Sequence, residues 1–389
     1  MDITHLQRMS VPDFGPFPLD VETPCVLVDG ARLAANIERV AAIGRCHRVA
    51  VRPHIKTHKS VDIARMQMQA GACGVTASKV DEALVFVRAG IPSVTCAYPV
   101  LDGAKLDRLL AVGRDYDCDL RCLADSDAGV TALHQAGERA GLVIPVSMKI
   151  DVGLHRCGVA VDDPALLRLA SRVHHSPHLE FVGILSHAGQ AYAAKDSAGV
   201  LAVARAEATL MRRAKALLEE HGVPVSEVSV GSTPTVLASD DYEGITEIRP
   251  GNYVFMDRTP VRLGLAQQSE VALTVLATVV SKNEQWLIID AGSKTLSSDG
   301  GAHGAGATDF GLAYPLGAGG ELGAPLVIGR LSEEHGWIIN EGANLAIGDK
   351  VRIVPNHSCV VVNLRDRLAL MGAGGELRSM NIDARGLIR

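Results

Sequence analysis

Short apolar runs alternate with amphipathic stretches in a regular rhythm that sets in near residue 24 and stops near 257. The runs fall at 25–29, 47–53, 72–77, 93–98, 119–124, 144–150, 181–186, 225–230 and 245–249. Runs rich in Val, Ile and Leu without polar alternation predict strands buried on both faces, as in a parallel sheet. Between most of them lie helical patterns, among them 31–42, 80–89, 165–174 and 202–221. Eight strand–helix units after the first strand predict an α/β fold, a (β/α)8 barrel of the TIM type. An open doubly wound sheet is the rival, because a pattern does not show closure. Beyond about 258 the helical period gives way to runs at 271–280, 285–290, 326–328, 337–340, 350–355, 360–364 and 368–371. These predict an antiparallel β domain. The expected division is an N-terminal segment with the first strand and helix (1–44), the barrel (45–258) and a C-terminal β domain (259–389). The first strand is free to pack with either domain. The Gly-rich stretch 299–306 reads as a mobile loop.

Composition narrows the partners. At 389 residues the chain is long enough for two domains, one of them large. The formal charge is −6 and aromatics are scarce, so there is no basic, aromatic-laced surface for nucleic acid. No run is long enough for a membrane span, and the first residues lack the basic and apolar regions of a signal peptide. The eight cysteines form no metal-type pair at CxxC spacing and sit mostly in apolar runs, which predicts reduced core residues in a cytoplasmic protein.

Chemistry concentrates where strands are expected to end. In Arg52-Pro53-His54-Ile55-Lys56-Thr57-His58-Lys59, Pro53 ends the strand. That leaves Lys56 at its carboxyl end, where barrel active sites lie. A lysine crowded by His54, His58 and Lys59 has its ammonium disfavoured and its amine made nucleophilic, suited to a Schiff base with an aldehyde cofactor. The plain alternative is a solvated basic turn. Gly231-Ser232-Thr233 and Gly251-Asn252-Tyr253 follow the last two barrel strands, where glycine and hydroxyl donors predict an anion nest; each could also be an ordinary turn. Arg156, past the 144–150 strand, is placed to hold a ring oxygen or to form a surface ion pair. His357 and Cys359, two apart on an expected strand, would face one side and grip one metal ion, with Zn²⁺ favoured by the thiolate. That spacing alone is a weak signal.

Assembled in this order from Thr23-Pro24 to the His-x-Cys pair, these motifs resemble the D-threonine aldolase and D-serine dehydratase family. These are fold-type III pyridoxal-phosphate enzymes with an alanine-racemase-like barrel and a C-terminal β domain. The resemblance implies Lys56 as the Schiff-base lysine, with His54, Arg156, Tyr192, Gly231, Ser232, Thr233, Gly251, Asn252 and Tyr253 around the cofactor. It implies His357 and Cys359 as ligands of a divalent metal (Zn²⁺ or Mn²⁺), catalytic roles for Lys56, His187 and Tyr192, and a homodimer acting on β-hydroxy-D-amino acids. The expected reaction is retro-aldol cleavage to glycine and an aldehyde; the alternative is dehydration to a keto acid and ammonia. The aldolase pattern carries a histidine at about the place of Tyr192, so His187 or a metal-bound hydroxide would have to serve as base. A racemase and a non-catalytic cofactor-binding protein are further alternatives. A racemase needs a second base that the sequence does not supply, and a carrier needs no β domain.

Overall fold

The strand carrying residues 25–29 tests the division most directly, because pattern left it unassigned. In the computed structural model, which describes residues 21–301, 307–317 and 320–389, that strand, β1 (Cys25–Asp29), lies in an antiparallel sheet between strands from the far end of the chain. The described residues form two compact units. One holds residues 37–251 and 386–389; the other holds 21–36 and 252–385. Helix α1 (Gly30–His47) follows β1.

The first unit contains eight parallel strands: β2 (Ala50–Val51), β3 (Val75–Ala77), β4 (Ser93–Cys96), β5 (Asp119–Ala124), β6 (Ile144–Lys149), β7 (Leu179–Leu185), β8 (Glu227–Val230) and β9 (Glu247–Ile248). Their order is β2-β9-β8-β7-β6-β5-β4-β3, every pair parallel. A parallel bridge between His54 and Thr76, with Thr76 N donating to Pro53 O at 2.8 Å, joins the two ends. The sheet closes as a barrel, which disposes of the open-sheet rival. Helices α2 (Val61–Gln69), α3 (Val80–Arg88), α4 (Gly103–Asp115), α5 (Asp127–Ala140), α6 (Ala165–His174), α7 (Ser197–Glu220) and α8 (Thr233–Ala238) connect the strands. Strand β2 is shorter than the expected 47–53. Arg48 at φ 55° turns the chain out of α1, and Pro53 has no N–H to continue a ladder. Helix α7 starts five residues early because Asp196 caps it, accepting from Gly199 N at 2.9 Å.

The second unit is built on β1 and on β10 (Leu273–Lys282), β11 (Trp286–Ile289), β12 (Leu312–Leu316), β13 (Leu326–Leu331), β14 (Gly336–Ile339), β15 (Lys350–Val354), β16 (Arg367–Met371) and β17 (Leu377–Asn381). The long strand β10 pairs with both β15 and β11, aided by a bulge at Val279/Ser281. Six strands thereby close on themselves, and closure removes exposed edges. Strand β1 pairs antiparallel with β10 and parallel with β16, and Leu27, Leu276, Leu316 and Met371 form a core cluster against it. Strands β12 and β17 were not anticipated, because Pro315 and the polar composition of β17 mask their pattern.

Among the described residues α-helix persists from 258 onward in three short pieces, α9 (Arg258–Arg262), α10 (Ser293–Leu296) and α11 (Ser358–Asn363). The last corrects an expectation: the β-branched run 360–364 reads as a strand yet is helical. Asp257 accepts from Ser358 N at 3.1 Å and pins the helix start, so a tertiary anchor overrides propensity. Of the expected mobile loop, residues 302–306 lie outside the described residues. None of the eight cysteines forms a disulfide among the described residues, and only Cys96 and Cys122 are fully buried. Cys46 and Cys73, at the end of α1 and ahead of β3, are exposed rather than core residues. Among the described residues no helix is long and apolar enough to cross a membrane.

Candidate functional site

In the barrel unit the candidate residues stand at strand carboxyl ends, as the fold leads one to expect. After β2, Pro53 breaks the strand and His54 caps a 3-10 turn (Ile55–Thr57), accepting from Lys56 N at 3.4 Å through Nδ1. His54 N donates to Pro250 O at 2.9 Å, which ties this turn to the end of β9. Lys56 is half-buried.

The cations that crowd this turn are not its sequence neighbours. His58 is fully buried and points away, edge-on to Phe86, with burial pushing its imidazolium down to about 3. Lys59 pairs with the buried Glu82 at 2.8 Å. The charges acting on His54 come instead from Lys56, Arg249, Lys149 and Arg156, which with burial hold its imidazole well below the ordinary histidine range. Lys149 ends β6 and is lowered to about 7, by burial first and then by Arg249 and Arg156. Arg249, just past β9, is lowered to about 10 by burial. It donates to Ser229 Oγ at 2.5 Å and to Ser186 O.

Arg156 is exposed and makes no ion pair among the described residues. Its loop is folded by Asp151, which accepts from Gly153 N at 3.0 Å and from His155 N at 3.1 Å.

Two buried carboxylates answer these cations, Glu247 on β9 and Glu207 on α7. Glu207 accepts from Ser186 Oγ at 2.6 Å and Gly231 N at 3.3 Å, and burial raises its pKa. Four cations face two carboxylates, and Glu247 is already paired with Arg52 at 2.7 Å, so the cluster carries surplus positive charge that suits an anionic ligand. Gly251 keeps its wall thin: a Cβ there would lie 3.0 Å from both His54 O and Thr57 Oγ1.

The hydroxyl nest is more self-contained than its composition suggests. Ser232 caps α8 in a capping box with Thr235, and Thr233 Oγ1 accepts from Gly251 N at 3.2 Å. His187 is half-buried just past β7, and Tyr192 is buried in the 3-10 turn Gly189–Ala193.

In the β unit the motif Asn252-Tyr253 is buried, with Asn252 Nδ2 donating to Asp257 at 2.8 Å and its carbonyl accepting from Ser358 Oγ at 2.6 Å. His357 and Cys359 do come together, though not as strand neighbours. His357 is the extended N-cap of α11 (φ −145°) and Cys359 lies in its first turn. The His357 side chain makes no capping bond to that turn and instead hydrogen-bonds the Cys359 side chain. Burial opposes the imidazolium of His357, but the Cys359 thiolate, Asp257 and Asp299 together hold its pKa up to about 10. Among the described residues no third His, Cys, Asp or Glu completes a ligand set. A histidine and a thiolate in so negative a setting fit a divalent ion that keeps open positions.

Sequence reading missed Lys149, Arg249, Glu207, Asp257 and Asp299. The first two carried a usable signal, a charged residue closing an apolar barrel strand. Glu207 carried none, since a glutamate within a helix is ordinarily solvated.

Both parts of the chain match known protein families. Residues 28–259 match the model of "Alanine racemase, N-terminal domain", and 272–371 that of "Putative serine dehydratase domain". D-threo-3-hydroxyaspartate dehydratase of Delftia sp. is 35% identical, over 88% of this chain and 92% of its own. D-threonine aldolase of Arthrobacter sp. is 32% identical, over 95% and 94%. A solved cysteine-to-alanine variant of D-threo-3-hydroxyaspartate dehydratase in the metal-free form superposes with a TM-score of 0.86 at 32% identity, covering 93% of this chain and 98% of that one. Carrying both domains in this order, the chain belongs to the D-threonine aldolase and D-serine dehydratase family of fold-type III pyridoxal-phosphate enzymes.

Proposed function

We propose that this protein is a pyridoxal-phosphate- and divalent-metal-dependent lyase acting on β-hydroxy-D-amino acids, by retro-aldol cleavage to glycine and an aldehyde. The observation that carries the reading is the half-buried Lys56 at the end of β2, standing in surplus positive charge with Lys149, Arg156 and Arg249. When bound, pyridoxal phosphate supplies an electron sink for the bond broken at the substrate's α-carbon. Lys56 anchors its aldehyde and afterwards handles a proton on that face. Arg156 holds the phenolic oxygen, while Gly231, Ser232, Thr233, Gly251, Asn252 and Tyr253 take the phosphate. His54 and Tyr192 flank the ring. His357 and Cys359 hold the metal (Zn²⁺ or Mn²⁺), whose role is to acidify the substrate hydroxyl. His187 is the residue we assign as base for that hydroxyl.

One observation favours a second reading, dehydration to a keto acid and ammonia. Cys359 is consistent with it, since a cysteine-to-alanine variant of a dehydratase relative was solved in the metal-free form. Tyr192 likewise stands where a histidine is expected in the aldolase pattern. In that reaction Lys56 would take the α-proton, and His357 and Cys359 would hold a metal that supplies Lewis acidity at the departing hydroxyl. Product analysis separates the two. The purified holoenzyme is incubated with D-threonine, D-serine and D-threo-3-hydroxyaspartate in turn. Glycine with an aldehyde establishes the lyase of carbon–carbon bonds, keto acid with ammonia the dehydratase, and neither product overturns the substrate class. The family likeness and the unpaired cysteines support a cytoplasmic homodimer.

A further inference from the structure

We infer that Asp299 is a positioning residue for the metal pair: its carboxylate fixes the His357 ring so that Nε2 and the Cys359 sulfur converge on one cation. This rests on the metal reading above. Asp299 Oδ2 lies 2.8 Å from His357 Nδ1. The side chains retain only 15% (His357) and 33% (Asp299) exposure, so solvent competes weakly for the bond. Asp299 is itself held on both sides. Its Oδ1 accepts from Gly301 N at 3.0 Å, and its N–H donates to Ser297 Oγ at 3.0 Å.

With Nδ1–H committed to Asp299, Nε2 is the ring nitrogen left with a lone pair for a metal. Asp257 does the complementary work on the backbone side. It accepts from Ser358 N at 3.1 Å and Thr259 N at 2.9 Å, which fixes where α11 begins and hence where Cys359 stands. One carboxylate thus orients the ring and the other sets the helix that carries the thiolate. Outer partners of this kind raise ligand basicity as well as setting orientation, and their loss commonly weakens metal binding about 10–100-fold.

The test uses the pyridoxal-phosphate-loaded full chain and reads Zn²⁺ affinity by competition with a chromogenic chelator, alongside the ligand-field and thiolate charge-transfer bands of the Co²⁺ form. His357→Ala should lose tight binding. Asp299→Asn should weaken it about 10–100-fold and shift the cobalt bands, while the unfolding midpoint of the metal-free protein stays put. Asp299→Glu should recover part of the affinity. If His357→Ala binds as the parent does, the metal reading itself falls. If His357→Ala fails but Asp299→Asn binds within about twofold of the parent, the positioning role alone falls. Asp299→Asn losing metal as completely as His357→Ala would make Asp299 a direct ligand and overturn the inference. A lowered midpoint with unmoved cobalt bands would reduce Asp299 to a structural residue and also overturn it.

Discussion

The cluster around His54 in the barrel unit and the surroundings of His357 in the β unit are electrostatic opposites. Both centre on a shielded histidine, and burial works against the charged form of each. Around His54 the charges that act on it, Lys56, Arg249, Lys149 and Arg156, are all cations, and the imidazole is driven well below its ordinary pKa. Around His357 a thiolate and two carboxylates win, and the pKa rises to about 10. Residue type therefore does not decide what a histidine can hold; the sign of its surroundings does. The first region is prepared for an anion and the second for a cation.

The sharpest way to break the comparison is at Lys56. Lys56→Ala should abolish both activity and the visible absorbance of bound cofactor, and a retained band would move the anchor elsewhere, with Lys149 the first suspect. Next in size, His357→Ala or Cys359→Ala should remove activity that added metal cannot restore while leaving the cofactor absorbance in place. Full activity in chelator would erase the cationic half of the contrast. Gly251→Ala is a smaller perturbation. The new methyl would meet His54 O and Thr57 Oγ1 at 3.0 Å, so the turn bearing Lys56 must shift. We expect a cost of about 1–3 kcal/mol in stability and weaker cofactor retention on gel filtration.

The smallest expected effect is a pH slope in the cofactor-stripped protein. Lys149 is lowered to about 7 when folded and returns to about 10.4 when unfolded. Between those values the unfolded chain binds the extra proton, so this group's contribution to stability rises with pH across that window, by about 1.4 kcal/mol per pH unit at most. Lys149→Met should flatten the rise in urea midpoints from pH 7 to 9. An unchanged slope would mean that Lys149 is not buried as an amine.

The two regions also differ in how much of each could be read from the chain. The proposed metal pair is local: His357 and Cys359 are two residues apart, and their spacing carried the idea even though the strand imagined for them is a helix. The cationic cluster is assembled from the ends of β2, β6 and β9, so its members meet only when the barrel closes. Pattern reading found each strand end and set His54 beside Lys56, but it added two wrong companions, because His58 and Lys59 are adjacent in sequence yet turn into the core and onto Glu82. Barrel rhythm was legible since buried parallel strands are continuous apolar runs. The β unit was less so, because strands such as β12 and β17 carry a proline or a polar majority. Asp299 was beyond reach of any pattern, being an acidic residue in a glycine-rich stretch whose partner lies 58 positions on.

Strand β1 has a consequence for synthesis. It is the first described strand to leave the ribosome, yet both its neighbours, β10 and β16, are made hundreds of residues later. The barrel unit is nearly contiguous and can fold while the chain is still growing, since contacts close in sequence form early. Throughout that interval Val26, Leu27 and Val28 wait unpaired, an apolar strand with open hydrogen-bonding edges. Slow translation of the last third of the chain is therefore the condition under which this protein is most exposed to aggregation.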